Sequence, residues 1–117
     1  MLQEFRYAES IPLLTSAIDE SPGDIDLHIY LAYAYSQTGE PEKSVELLKH
    51  ASDLSPKSAK IHYNLGVAYQ KAQNVTQAKD EYLRALGLDA MYTPAKTALD
   101  SLPHSVEIPD AKQPAAQ

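Results

Sequence analysis

The four histidines of this chain have the widest chemical repertoire, because an imidazole can bind a metal ion or transfer a proton near neutral pH. His28 and His62 are 34 residues apart, whereas His50 and His104 are isolated in sequence. Zinc sites need three or four protein ligands, and the chain contains no cysteine to complete such a set. The sequence therefore predicts no metal and no cofactor, and favours a half-buried packing role for His28 and His62.

Patterns that would support catalysis are also missing from the sequence. Its four glycines, at positions 23, 39, 66 and 87, do not form a phosphate-binding loop. Ser10, Asp19 and the other polar residues do not form a nucleophile–base pattern. We therefore predict no catalytic residues and no enzyme activity.

Composition narrows the class of protein further. The chain has 117 residues, 44% of them hydrophobic, and a net charge of −6, which fits one small domain with an apolar core. The negative charge argues against a general attraction to nucleic acid. No apolar run approaches the ~20 residues of a membrane span, and the N-terminus lacks a signal pattern. We expect a cytoplasmic protein with no nucleic-acid partner and no membrane span.

The elements that would position a functional residue follow a repeat of 34 residues. Residues of similar character return at this spacing in seven pairs: His28 and His62, Leu31 and Leu65, Ala32 and Gly66, Tyr35 and Tyr69, Ser44 and Ala78, Ala51 and Ala85, and Leu54 and Leu88. Such a period is typical of stacked supersecondary units that contact only their neighbours. Chains of this kind usually act through a surface and not through a catalytic pocket.

Each period predicts two helices. Asp24 and Ser58 each precede an amphipathic run and can accept hydrogen bonds from the first N–H groups of a helix. Gly39 suits the left-handed end of one helix, and Pro41 suits the first turn of the next. In the second period we expect Asn74 to take the role of glycine at the turn.

Incomplete units flank the two full periods. The segment from about 2 to 22 matches the second helix of a period. A short helix is predicted at about 94–102, with Thr93 as its cap and Pro94 in its first turn. The proline-containing segment 103–117 predicts a disordered tail.

These positions resemble the tetratricopeptide repeat (TPR) family, whose repeats combine Leu-Gly/Ala, Tyr and Gly with small and bulky residues and a closing Pro. The chain departs from the pattern with His28 and His62 for Trp, Gln73 for Gly, and Ala90 for Pro. The resemblance implies an all-α fold, a right-handed superhelical stack of antiparallel helix pairs with a C-terminal capping helix. We expect a domain over 1–102, with a half repeat at about 2–22, full repeats at about 25–58 and 59–92, and a capping helix at about 94–102.

The resemblance also implies a binding surface. In this family the first helix of each pair lines a concave groove that receives a peptide or a partner helix. By repeat position, the groove residues are Asp26, Ile29, Tyr30, Tyr33, Gln37, Lys60, Tyr63, Asn64, Val67, Gln70 and Lys71. Tyrosine is common in recognition surfaces, because its ring has little rotamer freedom to lose. The alternative is that these side chains only fill space in a tightly curved superhelix or pack on the tail.

One groove variant of the family clamps the C-terminal carboxylate of heat-shock chaperones with two Asn and several Lys or Arg. Only Asn64 matches that pattern, because Ile29, Tyr33, Pro94 and Ala98 occupy the other positions. An apolar linear segment or an amphipathic helix is therefore the better ligand.

We predict a non-catalytic protein–protein interaction module that acts as an adaptor, scaffold or assembly factor. The alternatives are a structural repeat protein that self-assembles, or a targeting or regulatory module cut from a larger protein. The N-terminal helix lacks an obvious cover for its apolar residues, which are Leu2, Phe5, Ile11, Leu14 and Ile18. A homodimer through this helix would cover them, and so would a longer repeat protein.

Overall fold

The computed structural model describes residues 2–102, with side chains from position 6 onward, and this part of the chain is all α-helical. Its helices are α1 (Leu2–Glu20), α2 (Ile25–Gln37), α3 (Pro41–Leu54), α4 (Ala59–Lys71), α5 (Val75–Leu88) and α6 (Thr93–Ser101). Each packs on its neighbour in sequence, and α2 also packs on α4. None of these helices has both the length and the apolarity needed to cross a bilayer. The predicted tail, 103–117, lies outside the described residues.

The predicted helix ends are largely confirmed. The side chain of Asp24 accepts hydrogen bonds from two backbone N–H groups in the first turn of α2, at 3.1 and 3.4 Å. The Ser58 hydroxyl accepts one at the start of α4, at 3.2 Å. Gly39 has φ +86°, and Pro41 lies in the first turn of α3. Asp24 and Ser58 satisfy, and Pro41 removes, backbone donors that a helix start leaves unpaired.

Two predicted details are wrong. The left-handed residue between α4 and α5 is Gln73, with φ +68°, whereas Asn74 precedes α5 with φ −109°. The two helix-to-helix turns have the same length, so the left-handed conformation falls 34 residues after Gly39. Thr93 is the first residue of α6 and not its cap, because the helix begins one residue early, after Tyr92.

Replacing Gln73 by glycine is expected to stabilise the protein by about 0.5–1 kcal/mol. A Cβ in the left-handed region costs roughly 1–2 kcal/mol, and the greater freedom of glycine in the unfolded chain offsets part of that gain. Urea denaturation measures the change. Gly39→Gln is the reciprocal control and should destabilise the protein. Because a Cβ at Gly39 meets no atom within 4 Å, this variant tests the backbone conformation alone. Lower stability for Gln73→Gly would contradict this account.

Small residues allow the two helices of each pair to cross closely. Ser44 and Ala51 on α3 are fully buried, and so are Ala78 and Ala85 on α5. The tightest approach involves Gly66 on α4, where a Cβ would lie 2.5 Å from Cε1 of the Tyr82 ring. Tyr82 is itself only 1% exposed, so the ring has little space to move.

The two repeat-related histidines are buried more deeply than predicted, at 1% exposure for His28 and 7% for His62. The Nδ1 atom of His28 lies 2.9 Å from the carbonyl oxygen of Asp24. His62 bridges two elements, with Nδ1 2.8 Å from Oε1 of Glu81 and Nε2 3.1 Å from the carbonyl oxygen of Pro56. Both imidazoles are therefore hydrogen-bonded parts of the core. The described residues contain no cluster of three potential metal ligands.

Candidate functional site

The first helices of the two full pairs, α2 and α4, lie side by side. Lys60 on α4 donates from Nζ to Oδ1 of Asp26 on α2 at 2.8 Å, and this hydrogen bond raises the pKa of Lys60. Both side chains are about half exposed, so the pair adds little to stability. It does show that equivalent positions of the two helices meet. We call the surface formed by the eleven predicted groove residues on α2 and α4 the inner face.

On α2 the inner face is aromatic. Tyr30 and Tyr33 are 56% and 46% exposed, so about half of each side chain is open to solvent. Gln37, at the end of the helix, is half-buried. Ile29 is only 7% exposed and belongs to the hydrophobic core, so it supports the inner face from beneath and offers almost no surface itself.

Tyr33 is held in place by a residue that the sequence did not indicate. The ring of Tyr7 on α1 packs edge-on against it, with centroids 5.4 Å apart and an interplanar angle of 78°. A hydrogen bond with Tyr33 raises the pKa of Tyr7. Edge-to-face geometry is favourable for aromatic pairs, so the Tyr33 ring is partly preorganised. The repeat pattern gives only a weak signal for the role of Tyr7. Its equivalent in the next repeat is Pro41, which directly follows a helix-to-helix turn.

On α4 the inner face contains two depressions that share Val67. A small one of about 10 Å³ also has Tyr33, Ser36 and Asn64 in its lining, and so joins α2 to α4. A larger one of about 450 Å³ is lined by Val67, Gln70, Lys71 and Gln73 at the end of α4. The Asn64 side chain donates from Nδ2 to the carbonyl oxygen of Lys60 at 2.8 Å, which turns its amide nitrogen towards its own helix.

Tyr63 is shared between the inner face and the core. Its ring lies 5.9 Å from that of Tyr82 and 5.8 Å from that of Tyr92, which precedes α6. Burial and the neighbouring Tyr63 raise the pKa of Tyr92. The sequence did not indicate Tyr92, because the corresponding position of the preceding repeat is Ser58. Since Tyr63 is half-buried in this aromatic cluster, a substitution there changes packing as well as surface.

A second concavity lies away from the predicted residues, between α1 and α3. This cleft of about 440 Å³ is lined by Thr15, Ile18, Asp19, Leu31, Tyr35, Lys43, Glu46, Leu47 and His50. Lys43 pairs with Glu40 at 2.8 Å, which raises the pKa of Lys43, and lies 5.5 Å from the centre of the Tyr35 ring. Its walls carry both acidic and basic side chains over an apolar floor, so the lining does not favour a ligand of either charge.

Stacked antiparallel helix pairs, whose first helices share one face, define an α-helical repeat protein of the solenoid class. The chain belongs to the tetratricopeptide repeat family, because models described as Tetratricopeptide repeat match residues 1–53 and residues 59–90. This family consists generally of non-catalytic modules for protein interaction. The prediction of an all-α stack of this family is confirmed.

Solved structures show the same fold. The TPR domain of Sgt2 from Aspergillus fumigatus is 25% identical, with a TM-score of 0.81 over 99% of this chain and 80% of that one. The first TPR domain of human RPAP3 is 23% identical, with a TM-score of 0.81 over 91% and 84%. The first TPR of Spaghetti (RPAP3), bound to the HSP90 peptide SRMEEVD, is 22% identical, with a TM-score of 0.80 over 92% and 85%. No curated protein matches this chain in sequence.

Proposed function

We propose that this chain binds a short peptide segment or a partner helix of another protein along its inner face, as an adaptor, scaffold or assembly factor. The observation that carries the proposal is the pair of exposed tyrosines, Tyr30 and Tyr33, at 56% and 46% exposure. Exposed aromatic rings beside a depression are typical of recognition surfaces. The peptide bound to the similar Spaghetti domain supports a peptide as the kind of ligand. We also expect the protein to reside in the cytoplasm.

The ligand chemistry follows from the side chains of the inner face. Its charged residues are the paired Asp26 and Lys60, together with Lys71 at the far end of α4. This gives an acidic peptide little net attraction. Tyr33 and the buried Ile29 occupy positions at which a carboxylate clamp would need polar or basic groups. We therefore propose an apolar linear segment or an amphipathic helix, packed on the tyrosine rings and Val67.

Replacing Tyr33 by alanine is expected to weaken peptide binding at least about tenfold, because exposed aromatic anchors dominate such surfaces. Peptides selected from a displayed library of random short sequences serve as the probe, and fluorescence anisotropy measures their affinity for each variant. Tyr33 is a cleaner target than Tyr63, since Tyr63 also packs against Tyr82 and Tyr92. Circular dichroism should show unchanged helicity.

Leu83→Ala on α5 is the matched control, because Leu83 is 48% exposed and lies outside the inner face. It should leave peptide affinity unchanged. Equal affinities of the selected peptides for the wild type and for Tyr33→Ala would refute the inner face as the binding surface, and so would equal losses in Tyr33→Ala and Leu83→Ala.

A further inference from the structure

A second surface, on α1, is incompletely covered. Ser10, Leu13, Leu14 and Ala17 have the spacing i, i+3, i+4 and i+7, so they share one face of the helix. We call these four residues the α1 stripe. Leu13 is 73% exposed, and the other three are half-buried. Residues so spaced form an apolar face of the kind that normally packs on another helix.

The same positions in the full repeats are covered. The equivalents of the stripe on α3 and α5 are Ser44, Leu47, Leu48, Ala51, Ala78, Glu81, Tyr82 and Ala85. All are at most 7% exposed except Leu47, which is partly buried.

In each full pair the cover is the preceding antiparallel helix of that pair. The Ser44 hydroxyl donates to the carbonyl oxygen of Ala32 on α2, and the Tyr82 hydroxyl donates to Oε1 of Gln70 on α4 at 2.7 Å. Within residues 2–102, no helix occupies this place on α1. The stripe therefore lacks the antiparallel helix that covers its equivalents on α3 and α5.

We propose that a second copy of this chain supplies that helix, so that two α1 helices pack antiparallel about a two-fold axis between Leu13 and Leu14. The stripe is self-complementary in this arrangement, because its order is small, large, large, small. Ser10 of each copy faces Ala17 of the other, and Leu13 faces Leu14. Such an isologous contact closes after two copies.

Charge supports the antiparallel direction. Arg6 and Glu20 are both exposed, and they lie beyond opposite ends of the stripe on the same side of α1 as Leu13. The two-fold axis forms two equivalent contacts, each between Arg6 of one copy and Glu20 of the other. A parallel pairing would place like charges together. Complementary charges of this kind set partner orientation in helix pairs.

The other end of the stack is a poor partner for the stripe. On α6, Lys96 and Asp100 occupy the positions equivalent to His62 and Gly66, which pack towards the second helix of their own pair. Both are exposed and charged. An end-to-end contact between α6 and α1 would bury them against apolar side chains, which is costly without paired charges. The two-fold pairing of α1 is therefore preferred over a chain of stacked copies.

The test is the oligomeric state of the full chain, measured by sedimentation equilibrium from roughly 10 to 500 µM, because a contact of one helix face gives a weak dimer. The mass should rise from 12.9 kDa towards twice that value. Arg6→Glu alone places two acidic residues together, and Glu20→Arg alone places two basic ones together. Each should raise the dissociation constant at least about tenfold. An equimolar mixture of these two variants should dimerise again, since both contacts then join opposite charges.

Leu13→Asp should be monomeric, whereas Leu83→Asp, at an exposed leucine of α5, should dimerise like the wild type. Circular dichroism verifies that each variant is folded. A wild type that stays monomeric throughout this range, as it would if the stripe served another protein, overturns the proposal. Dimers that survive the charge variants, or variants that fail to pair when mixed, overturn it as well. The proposal is independent of peptide binding, because Leu13 lies outside the inner face.

Discussion

Replacing His62 by alanine is expected to lower the free energy of unfolding by about 3 kcal/mol, because it leaves the buried Glu81 side chain without its hydrogen-bond partner and opens a cavity. His62 and Glu81 have side chains only 9% and 10% exposed, and their atoms are 2.8 Å apart. In the variant, Glu81 would keep its contact with Arg84, which is 3.3 Å from its other oxygen and 64% exposed. Since small domains are stable by about 5–15 kcal/mol, urea denaturation should reveal a large loss.

Two further variants separate the lost pair from the lost volume. Glu81→Gln keeps the shape of the side chain and a hydrogen bond to His62, and should cost about 1 kcal/mol. The double variant His62→Leu with Glu81→Leu removes both polar partners and places leucine where the preceding repeat has Leu47. It should be more stable than His62→Ala, because the buried Glu81 carboxyl is removed together with its partner and is not left unpaired. A loss below about 1 kcal/mol for His62→Ala would contradict the importance of the pair.

Replacing Gly66 by alanine should destabilise the protein by about 1–3 kcal/mol, as overpacked cores do. Alanine normally stabilises a helix interior by about 1 kcal/mol relative to glycine, so the sign of the effect is diagnostic. The new Cβ would lie 2.5 Å from Cε1 of Tyr82, which cannot move easily because it is buried. The melting temperature, measured by circular dichroism, should fall by roughly 4–8 °C per kcal/mol.

The preceding repeat supplies the control for Gly66. The equivalent residues there are Ala32 and Leu48, both buried. Combining Gly66→Ala with Tyr82→Leu recreates that arrangement, so the double variant should lose less stability than the sum of the single losses. A double-mutant cycle measures this coupling. Strictly additive losses would show that the clash with Tyr82 is not the cause.

Sequence reasoning succeeded for the backbone because its signals recur once per repeat. Asp24 and Ser58 start equivalent helices, and Gly39 marks the position at which Gln73 also takes a left-handed conformation. Residue preference favours Asn74 for the left-handed conformation, whereas the equal length of the two turns places that conformation at Gln73.

The side-chain pairings could not be predicted from the sequence, because they do not recur from one repeat to the next. Glu81 pairs with His62, but the corresponding residue of the other repeat is Leu47. The repeat pattern therefore does not predict a buried carboxylate at this position. The candidate site shows the same limit. Repeat position alone treats Ile29 and Tyr63 alike, yet Ile29 lies in the core and Tyr63 reaches Tyr92 beyond the repeat. The proposed binding residues therefore remain a prediction until peptides are tested.

The packing of each helix on its neighbours in sequence also determines the order in which the protein unfolds. Each interface adds its own share of stability in such a stack, so opening proceeds in steps from the ends inward. Helix α6 packs principally on α5, while α4 and α5 form the most extensive interface of the described helices. Fraying of α6 together with the preceding Tyr92 would expose more of Tyr63 while the α2–α4 contact persists. A transient local opening at this end would thus first enlarge the aromatic part of the inner face, and only further unfolding would destroy that face.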